Sequence, residues 1–148
     1  MRWTALLMVC VAVGTTLAGG AGDANKKFLD AMQGEWKMQK AIKGGKAGPE
    51  EKIASTVLIV TGEEISVREG DNKPREHAKV VIDASKKPIS LDIIPAGKVD
   101  GKILGIVVLE GDVLRICFSK PGTERPKEFA SADGSDFALM ELKRIAKK

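Results

Sequence analysis

From residue 35 to residue 144 the chain repeats one device. Runs of four to eight residues, either alternating apolar with polar side chains or apolar throughout, are each closed by a short cluster of Gly, Pro, Asp, Asn or Lys. Successive side chains on a strand point to opposite faces, so a period of two marks an element with one buried face. The runs cover 56–60, 65–68, 76–82, 89–94, 103–110, 113–118 and 137–144. An earlier one begins at Glu35, where Trp36, Met38 and Ala41 are set against Glu35, Lys37 and Gln39. The separators, among them "TGEE", "EGDNKP", "DASKKP", "PAGKVDGK" and "EGD", have turn chemistry.

Eight short strands joined by hairpin-length links, with no helix between them, restrict the topology severely. Parallel pairs need crossovers of about a dozen residues, so the strands must form an antiparallel meander. Closing the meander removes its exposed edges, and eight strands is a size whose interior is filled by side chains or holds one small ligand. The predicted fold is therefore all-β, an eight-stranded antiparallel up-and-down barrel, with a two-sheet sandwich as the alternative. A short helix is expected over 25–33, where Phe28, Leu29 and Met32 form an apolar stripe ended by Gly34. Residues 42–52 ("IKGGKAGPEEK") read as a loop, and the one long link, 119–135 ("SKPGTERPKEFASADGS"), precedes the last strand.

Residues 1–24 do not share this pattern. Arg2, the apolar stretch 5–13 and the small residues of 15–24 read as a signal peptide, cleaved after Gly20, Ala21 or Ala24. The apolar stretch is too short for the ~20 residues of a membrane-spanning helix, and Cys10, preceded by Val9 within the apolar run, does not read as a lipidation site. The expected arrangement is a leader over 1–24 and one barrel domain over 25–148, located extracytoplasmically, in a periplasm or secreted. Cys117 is then the sole thiol, so no internal disulfide forms.

Charge argues against a nucleic-acid partner. The 24 Lys and Arg residues face 20 Asp and Glu, the two signs are interleaved, and Tyr is absent. Nucleic-acid surfaces need a clustered basic footprint with stacking rings. A mixed-charge solvated surface is expected instead.

"QGEW" (33–36), which follows the helix and opens the first strand, resembles the Gly-x-Trp signature of lipocalins and their relatives. That resemblance implies that Gly34 and Trp36 lie at the closed end of the barrel under the helix, and that Arg144, ending the last strand, packs across the indole. Such a cation–π contact is worth ~0.5–2 kcal/mol. A longer resemblance covers nearly the whole chain after the leader. "MQGEW" (32–36), "DASKKPISLDI" (83–93), "GKILGI" (101–106), "GDVLRICF" (111–118), "PGTERPKEF" (121–129) and "GSDFALMELKR" (134–144) are similar to a small exported lipocalin-like domain found in many copies in planctomycete bacteria. Val107 departs from it, where an aromatic residue is expected. No activity is established for that family, so the resemblance implies a fold and a compartment without a reaction.

Chemistry-bearing residues are sparse. On the strand 113–118, Arg115 and Cys117 share one face and Leu114, Ile116 and Phe118 the other. Cys117 reads as half-buried packing; the alternatives are a nucleophile whose thiol Arg115 favours as thiolate, and an intermolecular disulfide. The lone histidine, His77, is in another strand and is expected to face solvent. Asp92, in "ISLDII", points either inward as a polar ligand contact or outward as surface, the outward reading being preferred. One His and one Cys cannot build a zinc site, and "DGSD" and "EGDN" lack the full calcium-loop pattern. No cofactor, metal or catalytic residue is expected, and the chain is read as a non-enzyme.

Two functions are open. The first is a barrel binding a small apolar or amphipathic ligand, or a peptide, at its open end, with Met38, Leu58, Leu91, Leu104, Ile106 and Ile116 as candidate contacts. The second is a filled barrel serving as a cell-envelope protein-interaction module. The strand 103–110 is apolar on both faces and so must be covered on each, on the outside by the helix 25–33 or by a partner.

Overall fold

The structure, a computed structural model, describes residues 20–95 and 101–146. The leader expected over 1–24 lies, up to residue 19, outside the described residues. The elements run α1 (Gly20–Met32), β1 (Gly34–Lys43), β2 (Lys46–Ala47), α2 (Glu50–Ser55), β3 (Thr56–Thr61), β4 (Glu64–Glu69) and β5 (Arg75–Asp83). They continue with β6 (Ile89–Pro95), β7 (Ile103–Glu110), β8 (Val113–Ser119) and β9 (Phe137–Ala146). All pairings are antiparallel; β3 to β9 pair in sequence order, and β1 pairs with both β3 and β9. The sheet is thus a closed eight-stranded barrel, with the two-residue β2 hydrogen-bonded to the end of β1.

The expected strands are present, and the one irregularity in β1 has a cause. Trp36 and Met38 obey period two and Ala41 does not. A register shift between Met38 and Lys40 restores Ala41 to the inner face, opposite Met140. An extra residue in one strand bends it locally and sharpens the twist that closure requires. Two corrections concern helices. The N-terminal helix begins at Gly20 rather than residue 25. Residues 50–52, the end of the expected loop, form α2 together with 53–55; Pro49 precedes Glu50 and Glu51 in the first turn and Lys52 lies in the last. That order suits the helix dipole and a helix start.

The inner face is packed. Trp36, Leu58, Val60, Leu91, Val107, Leu114, Ile116 and Leu142 form one contiguous buried cluster, joined from α1 by Met32. Met38, Phe118 and Met140 pack against it, partly buried, toward the end opposite α1. Val107 fits this aliphatic filling, 1% exposed and opposite Ile116 across β7–β8.

The end under α1 is closed by side chains that satisfy the helix's last carbonyls, which have no partner within the helix. The Trp36 indole N–H donates to Met32 O at 2.8 Å. Arg144 donates to Gln33 O at 2.8 Å and also to Ala31 O, while its guanidinium lies 4.1 Å from the centroid of the Trp36 ring. The Gln33 amide donates to Gly62 O and accepts from Gly62 N, clamping the helix end to the β3–β4 turn. Asn25 Oδ1 accepts from Ala84 N at 2.7 Å, fixing the helix to the β5–β6 turn. Gly34, with φ of 123°, makes the turn from helix to strand in a region that side chains disfavour.

Candidate functional site

Four of the six candidate contacts face inward. Leu58, Leu91 and Ile116 belong to the buried cluster and Met38 packs against it. Leu104 and Ile106 do not share that interior. Register places Ile106 opposite Ser90 on β6 and Cys117 on β8, on the outer face of the barrel, and Leu104 is opposite Asp92 on the same face. An apolar strand carries no local mark of which face is inward. Gly105 supplies one in three dimensions: its missing side chain is an inner position between Leu91 and Phe118, where a Cβ would lie 2.9 Å from Cys117 O and 3.2 Å from Leu91 O.

α1, expected as a cover for the outer face of β7, packs against β5 instead. The outer face of β7 is covered by the long link, residues 120–136, folded back as a strap over β6, β7 and β8. Its base is closed by Lys120 N donating to Asp136 O, and its far part is tied to the β1–β2 hairpin through Gly134 N to Gly44 O and Gly45 N to Ser131 Oγ. Ser119 Oγ donates to Leu104 O. In the middle, Arg125 reaches across the sheet, donating to Gly105 O at 2.7 Å and to Asp92 Oδ1 at 2.6 Å. Lys102 holds the other Asp92 oxygen at 3.0 Å.

Asp92 therefore does point out of the barrel, but its side chain is only 16% exposed and serves as the strap's anchor rather than as free surface. Cys117, expected as half-buried, is fully buried beneath the strap, its thiol 3.5 Å from Ala130 O. Burial pushes that thiol above its usual pKa, opposed by the Ala130 hydrogen bond and reinforced by the Glu128 carboxylate. Arg115, which the nucleophile alternative would need beside the thiol, is paired with Glu141 at 3.3 Å and Glu110 at 3.4 Å. His77 is exposed and pairs with Glu64 at 2.7 Å. Cys117, His77 and Asp92 thus have separate partners and form no nucleophile–base pair.

Beside the strap's anchor lies a groove of about 710 Å³, half-open to solvent. Its exposed apolar surface comes from Val81 and Pro88, over a floor of the buried Ser90, Ile106 and Pro126. One wall is the β5–β6 turn with Lys86 and Lys87, and the other is the strap with Arg125 and Lys127. Asp83 also lines it, its carboxylate held below the usual range first by the Ser85 hydroxyl and then by the Ser85 backbone N–H, with Lys86 adding to the effect. Val81 is 45% exposed, between Lys79 and Asp83 on the outer face of β5. The groove combines residues from "DASKKPISLDI", "GKILGI" and "PGTERPKEF", three segments that are separate in sequence. A period-two reading had no means of joining them. The available signal was composition, in that both turn-like segments pair lysine with proline.

Comparison with known proteins adds no relative: no family model, curated protein or solved structure matches the chain.

Proposed function

We propose that this protein is an exported, non-catalytic β-barrel module that binds its partner molecule on the outside of the barrel, in the groove beside the strap. The observation that carries this is the contrast between the two faces of β7. On the inside, Val107 is packed among aliphatic side chains around Trp36. On the outside, Val81 and Pro88 border an open groove of a volume usual for ligand sites, above the buried Ile106. Export rests on the leader-like residues 1–24. The lipocalin-like resemblance suits this role, since such a barrel is a rigid frame on which loops and turns carry the site. Absence of catalysis rests on the separation of Cys117, His77 and Asp92.

A second reading keeps the ligand at the open end, favoured by the partly buried Met38, Phe118 and Met140. Backbone amide shifts separate the two. Titrating the isotopically labelled protein with the low-molecular-weight fraction of its own cell envelope should move the amides of Val81, Ser90, Ile106 and Lys127. Shifts confined to Met38, Phe118 and Met140 would transfer the site to the open end, and no shifts at all would reject a binding role for this fraction.

A further inference from the structure

Resting on that placement of the site, we infer that the groove takes an extended acidic peptide segment, with carboxylates on its lysines and an apolar side chain against Val81 and Pro88. Charge complementarity is the first reason. Four cationic side chains line the groove against two carboxylates, and both carboxylates are already engaged: Asp92 by Arg125 and Lys102, Asp83 by Ser85. Among the described residues, Lys86, Lys87 and Lys127 form no salt bridge, whereas Lys52, Lys79, Lys102 and Lys120 do. The three unpaired ammonium groups stand on opposite walls, two on the β5–β6 turn and one on the strap, so an anion between them meets cations from both sides.

The second reason is shape. A small amphipathic molecule is held by a pocket that buries most of its surface, whereas this groove is half-open to solvent. A peptide segment needs only one side covered, because its remaining contacts belong to the chain that carries it. Backbone pairing with the barrel is not available for such a segment, since β5, β6 and β7 each have both neighbours in place. Recognition must therefore come from side chains, with the lysines as point charges suited to carboxylates in varied orientations. The apolar border sets the second requirement. Pro88, part-exposed on the turn, gives a rigid surface beside Val81, against which an aliphatic side chain of the peptide packs without ordering that wall.

The test is fluorescence anisotropy of the intact mature protein with a labelled peptide alternating glutamate and leucine, its glutamine isostere, and a glutamate–serine version. The acidic amphipathic peptide should bind at least tenfold more tightly than either relative, and weaken as salt is raised. The combined variant Lys86→Gln, Lys87→Gln, Lys127→Gln should lose at least tenfold, and Lys37→Gln, an exposed lysine on β1, should lose nothing. These lysines are exposed, so the variants keep their fold, which thermal melting checks. Equal binding of the glutamine isostere, or indifference to the triple substitution, would overturn the inference. Dodecanoate binding at the same lysines more tightly than the peptide would also overturn it, assigning the groove to a small amphiphile. If envelope material moves the groove amides while the acidic peptide does not compete, the placement of the site stands and the peptide class falls. If the peptide binds but moves only Met38 and Met140, the placement itself falls.

Discussion

The Arg144 guanidinium caps the end of α1 and covers the Trp36 indole in a single pose, 4.1 Å from the ring centroid and hydrogen-bonded to the carbonyls of Ala31 and Gln33. One side chain thus joins the helix, the first strand and the last strand, the three elements that must meet for the barrel to close. Trp36→Ala should destabilise the protein by about 3–5 kcal/mol, since the indole is fully buried. Arg144→Leu leaves two carbonyls without their donor and should cost about 2–4 kcal/mol. A double-mutant cycle of Arg144→Leu with Trp36→Leu, measured by urea unfolding, should return a coupling of ~0.5–2 kcal/mol. A loss under ~1 kcal/mol for Trp36→Ala would reject the closed-end placement.

Two glycines are required for different reasons, and alanine distinguishes them. At Gly34 the backbone has φ of 123°, so Gly34→Ala strains the chain itself, by about 1–3 kcal/mol. At Gly105 the obstacle is neighbouring backbone, 2.9 Å from where a Cβ would sit, and crowding of this kind costs about 1–3 kcal/mol. Gly105→Ala should also displace the carbonyl that Arg125 binds, and hydrogen exchange should then quicken in the strap. Gly34→Ala should leave the strap's exchange unchanged relative to the rest of the barrel.

The strap is held in its middle by Arg125, and hydrogen bonds to charged groups contribute ~1.5–3 kcal/mol each. Arg125→Leu should therefore raise the population of the opened strap by roughly tenfold to a hundredfold. Cys117 reports it directly, because the thiol is buried by the strap. Its reaction with a disulfide reagent at pH 8 should accelerate by that factor while the overall melting temperature falls by only a few degrees. An unchanged rate would show that the strap opens elsewhere.

Cys117 also makes a prediction about pH. Its thiol pKa in the folded protein is raised from 9.0, so the unfolded chain loses this proton first as pH rises. Above about pH 9 the unfolded state binds fewer protons than the native state, and stability falls with increasing pH. Below that range both states hold the proton and the group contributes no pH dependence. Cys117→Ala should flatten the decline between pH 9 and 10 relative to the parent protein, as read by urea midpoints. A parallel decline in both proteins would place the thiol in water.

Strand positions were legible in the sequence because they depend on nearest neighbours: alternation in "EWKM" marks β1, and glycine-containing turns such as Gly62 and Gly111 mark where the chain reverses. Even the break at Ala41 was visible, although its cause, a shifted register against β9, was not. The signal for α2 was present in Pro49, Glu50 and Glu51, and was outweighed by the glycines that precede them.

What the sequence could not express was the side of the sheet on which a given residue would matter. In β7 every position but Gly105 and Glu110 is aliphatic, so Leu104 and Ile106 looked equivalent to Ile103 and Val107 as ligand contacts. Period two assigns residues to two faces without saying which face turns inward. Barrel closure and the strap make that choice, because both are contacts between distant segments. The same holds for Asp92, whose outward direction was expected and whose burial under Arg125 was not. The eight barrel strands and their antiparallel order thus follow from local patterning, which is a property of the chain. The groove does not: Lys86 and Lys127 belong to separate turns, and their charges act together only where the strap folds back across β7.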